Sequence, residues 1–320
     1  VALIEGILAG RVKVSASAMA SIIMGERGFT EKELTRDYSD GYVWLDYFSI
    51  PQRHPTNQGL AIQSISGYVA LSTLFVVLAG PWKHTADGSI RDVRAWGERG
   101  WCRMENLSNS LSPRQKALIV AESPTSVYSH GPRGIIGRFW TSEIVGEGTF
   151  SVDSDKAKLG PSILRLIEAR KAQCDREDDV GFFRFLSAIS SRLLLGTGVH
   201  LPDLPLDEWL AEMRFAGACD DEKTTGLSPL RFALIADRAD LVAQLLERGA
   251  DAECRTTELV PKRDRAYILP GETILNTCCT FTGSYHADCL KALLSHGVNT
   301  RVCTGRSPHA TPLLTAMRMS

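Results

Sequence analysis

The stretch GLAIQSISGYVALSTLFVVLAGPW, residues 59–82, contains no charged residue. It is long enough to cross a bilayer, which requires about 20 mostly apolar residues. Glutamine and serine interrupt its first half, however, where Ile62, Ile65 and Val69 are spaced as on one face of a helix. The second half, TLFVVLAG at 73–80, is a short β-rich run followed by proline. A buried helix followed by a buried strand therefore fits this stretch better than a membrane span, which is the alternative.

The composition of the 320-residue chain is that of a globular protein, with 44% apolar residues, 23% charged residues and a net charge of −1. This length accommodates two domains of roughly 100–200 residues each. The charge balance gives no electrostatic reason to expect nucleic acid or an anionic membrane surface as a partner. No basic segment followed by an apolar core marks a signal peptide, so we expect a cytoplasmic protein. Because residue 1 is Val, we also expect the sequence to be part of a longer chain.

Eight cysteines are spread over the last two-thirds of the chain, and none of them forms a Cys-x-x-Cys pair. No histidine stands at zinc-finger spacing from them. Reduced, buried thiols in a cytosolic protein are the simplest interpretation. The sequence therefore predicts no metal site and no bound cofactor.

Apolar runs and helical patterns alternate along the N-terminal half. The runs YVWL at 42–45, TLFVVL at 73–78 and KALIVA at 116–121 are predicted to be strands, and residues 2–24 are predicted to be helical. Continuous apolar strands of this kind are typical of a parallel sheet flanked by helices, an α/β fold. In such sheets, ligands bind beyond the carboxyl ends of the strands. Asp46, at the end of the first run, is therefore a candidate site residue.

The C-terminal third of the sequence contains a repeated pattern. Residues 226–253 and 271–301 both show a small hydroxyl residue, Pro or Ile, Leu, a helical segment and then Leu-Leu-x-x-Gly. A third copy starts at Thr311. The pattern resembles ankyrin repeats, although insertions lengthen the usual period of about 33 residues. We expect Ser228 and Thr273 to cap the first helix of each repeat.

These patterns predict three regions. An α/β domain at 1–160 is followed by a helical connector at 161–222, where helices occur without strands. An all-α ankyrin-repeat solenoid with two full repeats and one partial repeat follows at 223–320.

Two motifs in the α/β domain show a second resemblance. WLDYFSIPQ, residues 44–52, fits Trp-x-Asp-x-x-x-Ile-x-Gln; RGWCRMENLS, residues 99–108, fits Arg-x-Trp-x-x-Gln-Glu except at Met104, and it also contains Trp-Cys-x-x-Glu. Together they resemble the Toll/interleukin-receptor (TIR) superfamily and its fungal heterokaryon-incompatibility (HET) relatives. The resemblance implies a flavodoxin-like parallel sheet flanked by helices. Its first strand would be missing here, since residues 2–24 have a helical pattern.

The resemblance also implies a chemistry. In NAD-cleaving TIR proteins, the glutamate of this helix holds the nicotinamide ribose, so Glu105 would be catalytic. A nearby carboxylate stabilises the oxocarbenium character that develops as an N-glycosidic bond breaks. Asp46, Trp101 and Cys102 are the substrate-pocket candidates, with Trp101 as an aromatic wall. The alternative is that Glu105 is an ordinary acidic residue near a helix start, where the helix dipole favours it, and that Trp101 packs in the core.

The sequence thus predicts an intracellular signalling protein that acts through protein–protein contacts. The ankyrin repeats would bind a protein partner, and the TIR/HET-like domain would self-associate through the sheet edge that a missing strand exposes, or would be inert. In the inserted hairpin at 253–272, Lys262, Arg263 and Arg265 are partner-binding candidates, a solvated loop being the alternative. The runner-up is an NAD glycohydrolase regulated by the ankyrin arm, with NAD as substrate rather than cofactor. Without the first strand, we expect this chain to show no NAD turnover.

Overall fold

The computed structural model describes residues 5–6, 9–16, 28–29, 42–113, 116, 118–130, 144–257, 270–281, 287–302 and 312. The chain divides into two compact units. The first unit comprises Val1–Phe139 and Glu143–Leu166, and the second comprises Trp140–Ser142 and Ile167–Ser320.

The first unit contains a four-stranded sheet and several helices. Its described elements are β1 (Ser15–Ala16), α1 (Asp46–Ser49), α2 (Pro55–Gln63), α3 (Ile65–Leu71), β2 (Phe75–Leu78), α4 (Val93–Glu98), α5 (Gly100–Leu111), β3 (Leu118–Ala121), β4 (Val127–His130) and a 3₁₀ turn at Val145–Glu147. Helix α6 (Asp155–Glu177) contains the boundary between the units. The second unit continues with α7 (Val180–Leu193), α8 (Leu206–Glu212), α9 (Pro229–Ile235), α10 (Ala239–Glu247), α11 (Ile274–Phe281) and α12 (Ala287–Ser295).

The sheet has the strand order β1–β4–β3–β2 and is mixed. β2 pairs with β3, and β1 with β4, in the parallel sense, whereas β3 and β4 are antiparallel. The α/β class is therefore confirmed, but the prediction of a wholly parallel sheet is wrong. β4 follows β3 through a short turn in which the Glu122 N–H donates to the Ser126 carbonyl at 2.9 Å. A turn this short can only join antiparallel strands.

Apolar side chains lie on both faces of the sheet. On one face, Trp96 of α4 packs against a buried cluster made of Val77, Ala79, Leu118 and Val120. The other face carries a second buried cluster made of Val14, Ile119, Ala121 and Val127. The side chains of β3 are thus divided between two separate cores, as expected for a strand inside a sheet.

Two segments differ from the local predictions. The run at 42–45 is not a strand, and the side chains of Tyr42 and Val43 are exposed. Asp46 consequently begins α1 instead of ending a strand. Within the segment 2–24, predicted to be helical, residues 15–16 form β1, so a strand precedes α1 where none was expected. An apolar run becomes a strand only where it finds a partner to pair with.

The uncharged stretch at 59–82 folds as a broken helix and a strand, so the predicted order of elements is confirmed. The strand was also predicted to be buried, and this is wrong for Val76 and Leu78, whose side chains are exposed. α2 and α3 meet at Ser64, whose hydroxyl donates to the Leu60 carbonyl at 2.8 Å. The stretch then turns at Ser72 and enters β2. Among the residues that the structure describes, no helix is long and apolar enough to cross a membrane.

The second unit contains two successive helix pairs that stack on each other. α9 packs on α10 and α11 on α12, while α9 also contacts α11 and α10 contacts α12. Gly249 and Gly297, which follow the second helix of each pair, have φ angles of +88° and +85°. This left-handed conformation is common for a glycine that follows the end of a helix. Leu245 and Leu293 are both fully buried at corresponding positions in α10 and α12.

The loops after the two pairs contain the same hydrogen bonds. The Asp251 N–H donates to the Glu222 carboxylate at 2.8 Å, and the Asn299 N–H donates to the Glu253 carboxylate at 2.7 Å. The side chains of Asp251 and Asn299 each accept a bond from the N–H two residues further on, at 2.8 and 3.0 Å. The repetition seen in the sequence is therefore also present in the backbone.

The two copies differ at some predicted positions. The Thr273 hydroxyl accepts a bond from the Asn276 N–H at 3.1 Å, as expected of a helix cap. The Ser228 side chain makes no such bond at the start of α9, so that prediction is wrong. The second leucine of the Leu-Leu-x-x-Gly pattern also differs, since Leu294 is exposed whereas Leu246 is buried. The predicted third copy lies outside the described residues except for residue 312.

A fully buried arginine joins the two helix pairs. Arg231 lies in α9, and its side chain has no solvent exposure. Its five N–H groups donate to the carbonyl oxygens of Gly226, Cys254, Glu272 and Thr273 and to the Thr277 hydroxyl. Every donor of the guanidinium group is thus used, which offsets part of the cost of burying the charge. Burial nevertheless lowers the pKa of the Arg231 side chain.

Candidate functional site

The helix that carries Glu105 is fixed at its start by a backbone contact. The Gly100 N–H donates to the Thr149 carbonyl at 2.9 Å, and the Thr149 N–H donates to the Glu98 carbonyl at 2.8 Å. These bonds form an isolated bridge between Arg99 and Thr149, just after the 3₁₀ turn. A Cβ atom on Gly100 would lie 2.0 Å from the Phe150 ring, so any larger residue here would force that ring to move.

Arg103 holds the same helix to a second segment. Its Nε donates to the Gly97 carbonyl at 2.7 Å, and its Nη1 donates to the Ile144 carbonyl at 2.9 Å. Both bonds bind backbone oxygens, so the guanidinium group serves to anchor α5. Among the described residues, no ion pair joins Arg103 to Glu105.

The apolar face of α5 lies in the core of the first unit. Met104, Leu107 and Leu111 are buried, and so is Cys102. Trp101 is half-buried and packs edge-on against Phe150, with 6.2 Å between the ring centroids. Contact with Phe150 therefore occupies part of the surface of the Trp101 ring.

Glu105 lies at the boundary between the core and solvent. It is the sixth residue of α5 and therefore lies beyond the first turn. The helix dipole acts most strongly within that first turn. Its carboxyl group is half-buried and makes no hydrogen bond or ion pair with the described residues. Burial, together with the charge of Asp46, raises the pKa of Glu105 to about 7, and the charge of Arg99 opposes this shift.

Asp46 is close enough to affect the charge on both Glu105 and Cys102. It lies on the exposed first turn of α1 rather than at the end of a strand. Burial, together with the charges of Glu105 and Asp46, raises the pKa of the Cys102 thiol to about 12, against the opposing charge of Arg99. This thiol is protonated at neutral pH and is a poor nucleophile. Asp46, Cys102 and Glu105 thus share one electrostatic environment. Trp101 lies on α5 together with Cys102 and Glu105.

This arrangement can take part in acid–base or electrostatic chemistry. A carboxyl group with a pKa near 7 exchanges its proton at physiological pH, which suits a general acid or base. In its ionised form it can also stabilise a developing positive charge. Perturbed carboxyl groups without a structural partner are more frequent at functional sites than elsewhere.

Other candidate residues lie outside the described part of the chain. These are Lys262, Arg263 and Arg265 of the inserted hairpin. The residues on either side are described, and the Thr256 N–H donates to the Glu272 carbonyl at 3.1 Å where the two ends of the hairpin meet.

Sequence reasoning did not identify Phe150 or the anchoring role of Arg103. The glycine directly before Trp101 was the available signal, since a glycine at a helix start indicates a close neighbour. Within the described ranges, no group of three or more His, Cys, Asp or Glu residues is placed to hold a metal ion.

Comparison with known proteins adds no family to these observations. No protein-family model matches the chain, and no curated protein matches it at a significant level.

Proposed function

We propose that this chain is an interaction protein in which the repeated helix pairs of the second unit bind a protein partner and the α/β unit associates with other molecules. The observation that supports this most is the repetition of Glu222–Asp251 as Glu253–Asn299, together with the stacking of α9 on α11 and α10 on α12. Stacked helix pairs of this kind, as in ankyrin repeats, form extended surfaces that bind proteins. Their hairpins are the usual points of contact.

An affinity-capture experiment with the full chain tests this proposal. The variant reverses three charges in the hairpin: Lys262→Glu, Arg263→Glu and Arg265→Glu. The control reverses three exposed basic residues elsewhere: Arg94→Glu, Lys158→Glu and Lys223→Glu. We expect a partner that is captured by the wild type and the control and lost from the hairpin variant. If every captured protein binds all three chains equally, the hairpin is a solvated loop.

A second candidate function is the hydrolysis of NAD, with Glu105 as the catalytic residue. It is favoured by one observation, the half-buried Glu105 carboxyl group that has no partner among the described residues and has a pKa of about 7 near Asp46. In this role the ionised carboxylate would stabilise the ribosyl cation as nicotinamide leaves.

Nicotinamide release from NAD by the full chain distinguishes the two functions. We expect no release from the wild type. Release that is lost in Glu105→Gln and retained in Glu98→Gln would replace the first proposal with the second. Glu98 is a suitable control because its exposed carboxylate lies on the neighbouring helix α4, 3.6 Å from Arg94.

A further inference from the structure

One edge of the sheet in the first unit lacks a partner strand among the described residues. β2 is the last strand in the order β1–β4–β3–β2, and among the described residues no strand pairs with its outer side. The Ala79 N–H donates inward to the Ala121 carbonyl at 3.1 Å. Because backbone groups alternate between the two sides of a strand, the amides of Val76 and Leu78 point to the free edge.

The side chains of the same two residues are also uncovered. In the register with β3, Val76 lies beside Ile119 and Leu78 beside Ala121. Ile119 is 0% exposed and Ala121 2%, whereas Val76 is 42% and Leu78 55% exposed. On this face of the sheet, therefore, other residues cover the side chains of β3 but not those of β2. Two apolar side chains and the backbone groups of one strand are left open together.

The opposite edge of the sheet, at β1, has features that prevent pairing with another strand, and the edge at β2 does not have them. β1 has only two residues, and the exposed Lys13 lies two positions before it. Short strands and lysines are among the usual means of preventing edge-to-edge pairing. β2 has neither, since it has four apolar residues and lies within the uncharged stretch at 59–82.

We infer that two copies of this chain associate by pairing their β2 strands in the antiparallel sense, which forms one continuous eight-stranded sheet. This inference rests on the association role that we propose for the α/β unit, and it specifies the surface and the partner.

Charge favours a second copy as the occupant of this edge. A two-fold axis places the strand opposite itself, so any charge on it would face the same charge. The uncharged stretch at 59–82 avoids this repulsion. The pairing would satisfy the outward amides of Val76 and Leu78 and bring the exposed side chains of the two copies together in one apolar stripe.

The strength of the association follows from the available area. Leu71 and Trp82 are the nearest other exposed large apolar side chains in sequence, four residues before and four residues after β2. Four such side chains fall short of the roughly 800 Å² per partner that a stable interface buries. We therefore expect a reversible dimer with a dissociation constant on the order of 10 µM.

Sedimentation of the full chain across a concentration series tests the dimer. Val76→Lys puts a like-charged pair into the paired strands and should raise the dissociation constant at least about tenfold. Val152→Lys is the matched control, since Val152 is 54% exposed in the first unit but lies outside the sheet. It should dimerise like the wild type.

Hydrogen exchange on the wild type locates the interface without any substitution. The amides of Val76 and Leu78 should become protected as the concentration rises, whereas those of β1 should not. A wild type that stays monomeric to about 0.5 mM overturns both the inference and the self-association role. A dimer without concentration-dependent protection in β2 overturns only the inference, because association then uses another surface.

Discussion

Replacing Glu105 by glutamine should make the protein more stable at neutral pH and leave it unchanged in acid. The pKa of Glu105 is raised from 4.5 to about 7 in the folded chain. Between these values the unfolded chain has lost the proton and the folded chain retains it, so the free energy of unfolding falls as the pH rises. The shift of about 2.5 pH units corresponds to roughly 3 kcal/mol, which is fully lost above pH 7. Glutamine resembles the protonated form and avoids this loss.

The measurement is urea unfolding of the wild type and Glu105→Gln, followed by tryptophan fluorescence between about pH 4 and pH 8. The difference between the two curves should grow from near zero to about 3 kcal/mol, because the loss of the Glu105 carboxyl is the main change in titration and the Cys102 thiol, which Glu105 also affects, stays protonated over this pH range. Glu98→Gln, with an exposed carboxylate, should differ from the wild type by less than about 1 kcal/mol throughout. A constant difference, or a variant that is less stable at neutral pH, would refute the argument, since the carboxylate would then be stabilised as an ion.

Three further predictions concern single residues. Asp46→Asn should lower the pKa of Glu105 by less than burial raises it, because burial is the larger cause; a ¹³C NMR titration of the Glu105 carboxyl would detect this, and an unchanged midpoint would contradict it. Gly249→Ala should lower the free energy of unfolding by about 1 kcal/mol, because φ is +88° at this position. Gly59→Ala, inside α2 with open space around it, should raise the free energy of unfolding by about 0.5–1 kcal/mol. Thermal melts in which Gly249→Ala is the more stable of the two variants would disprove this. Arg231→Met should cost about 3–5 kcal/mol in urea unfolding, since it removes five hydrogen bonds and leaves the carbonyls of Gly226 and Cys254 without a donor among the described residues, and a loss below about 1 kcal/mol would show that water replaces the bonds.

The elements that were predicted correctly are those whose sequence pattern matches the burial and backbone conformation of their residues. β3 lies in the apolar run KALIVA and is buried on both faces, so its sequence is apolar throughout. The repeated helix pairs were predictable because Gly249 and Gly297 follow the same Leu-Leu spacing and have the same left-handed backbone. Burial on both faces determines every residue of β3, and the packing and ending of the second helix of each pair determine both the leucines and the glycine.

The errors arise where pairing depends on distant residues. YVWL at 42–45 has the composition of a strand, yet no strand pairs with it among the described residues. β4 has the sequence VYSH, which is too short and polar to stand out, and it forms because a turn returns it to β3. The proximity of Asp46 to Glu105 was predicted from a strand that does not exist. The electrostatic environment of a site can thus be predicted more easily than the element that supplies it.

The bond between Glu222 and the Asp251 N–H has a consequence for how such a chain can lengthen. The acceptor Glu222 lies before the first helix pair and the donor Asp251 lies after it, and Glu253 supplies the equivalent acceptor to Asn299 across the second pair. The loop after the first pair therefore contains both halves of the junction, the amide of Asp251 and, two residues further on, the carboxylate of Glu253. A duplicated copy inserted in register would find a matching carboxylate before it and a matching amide after it. Growth of the array by tandem duplication would then require no new contact to evolve at the seam.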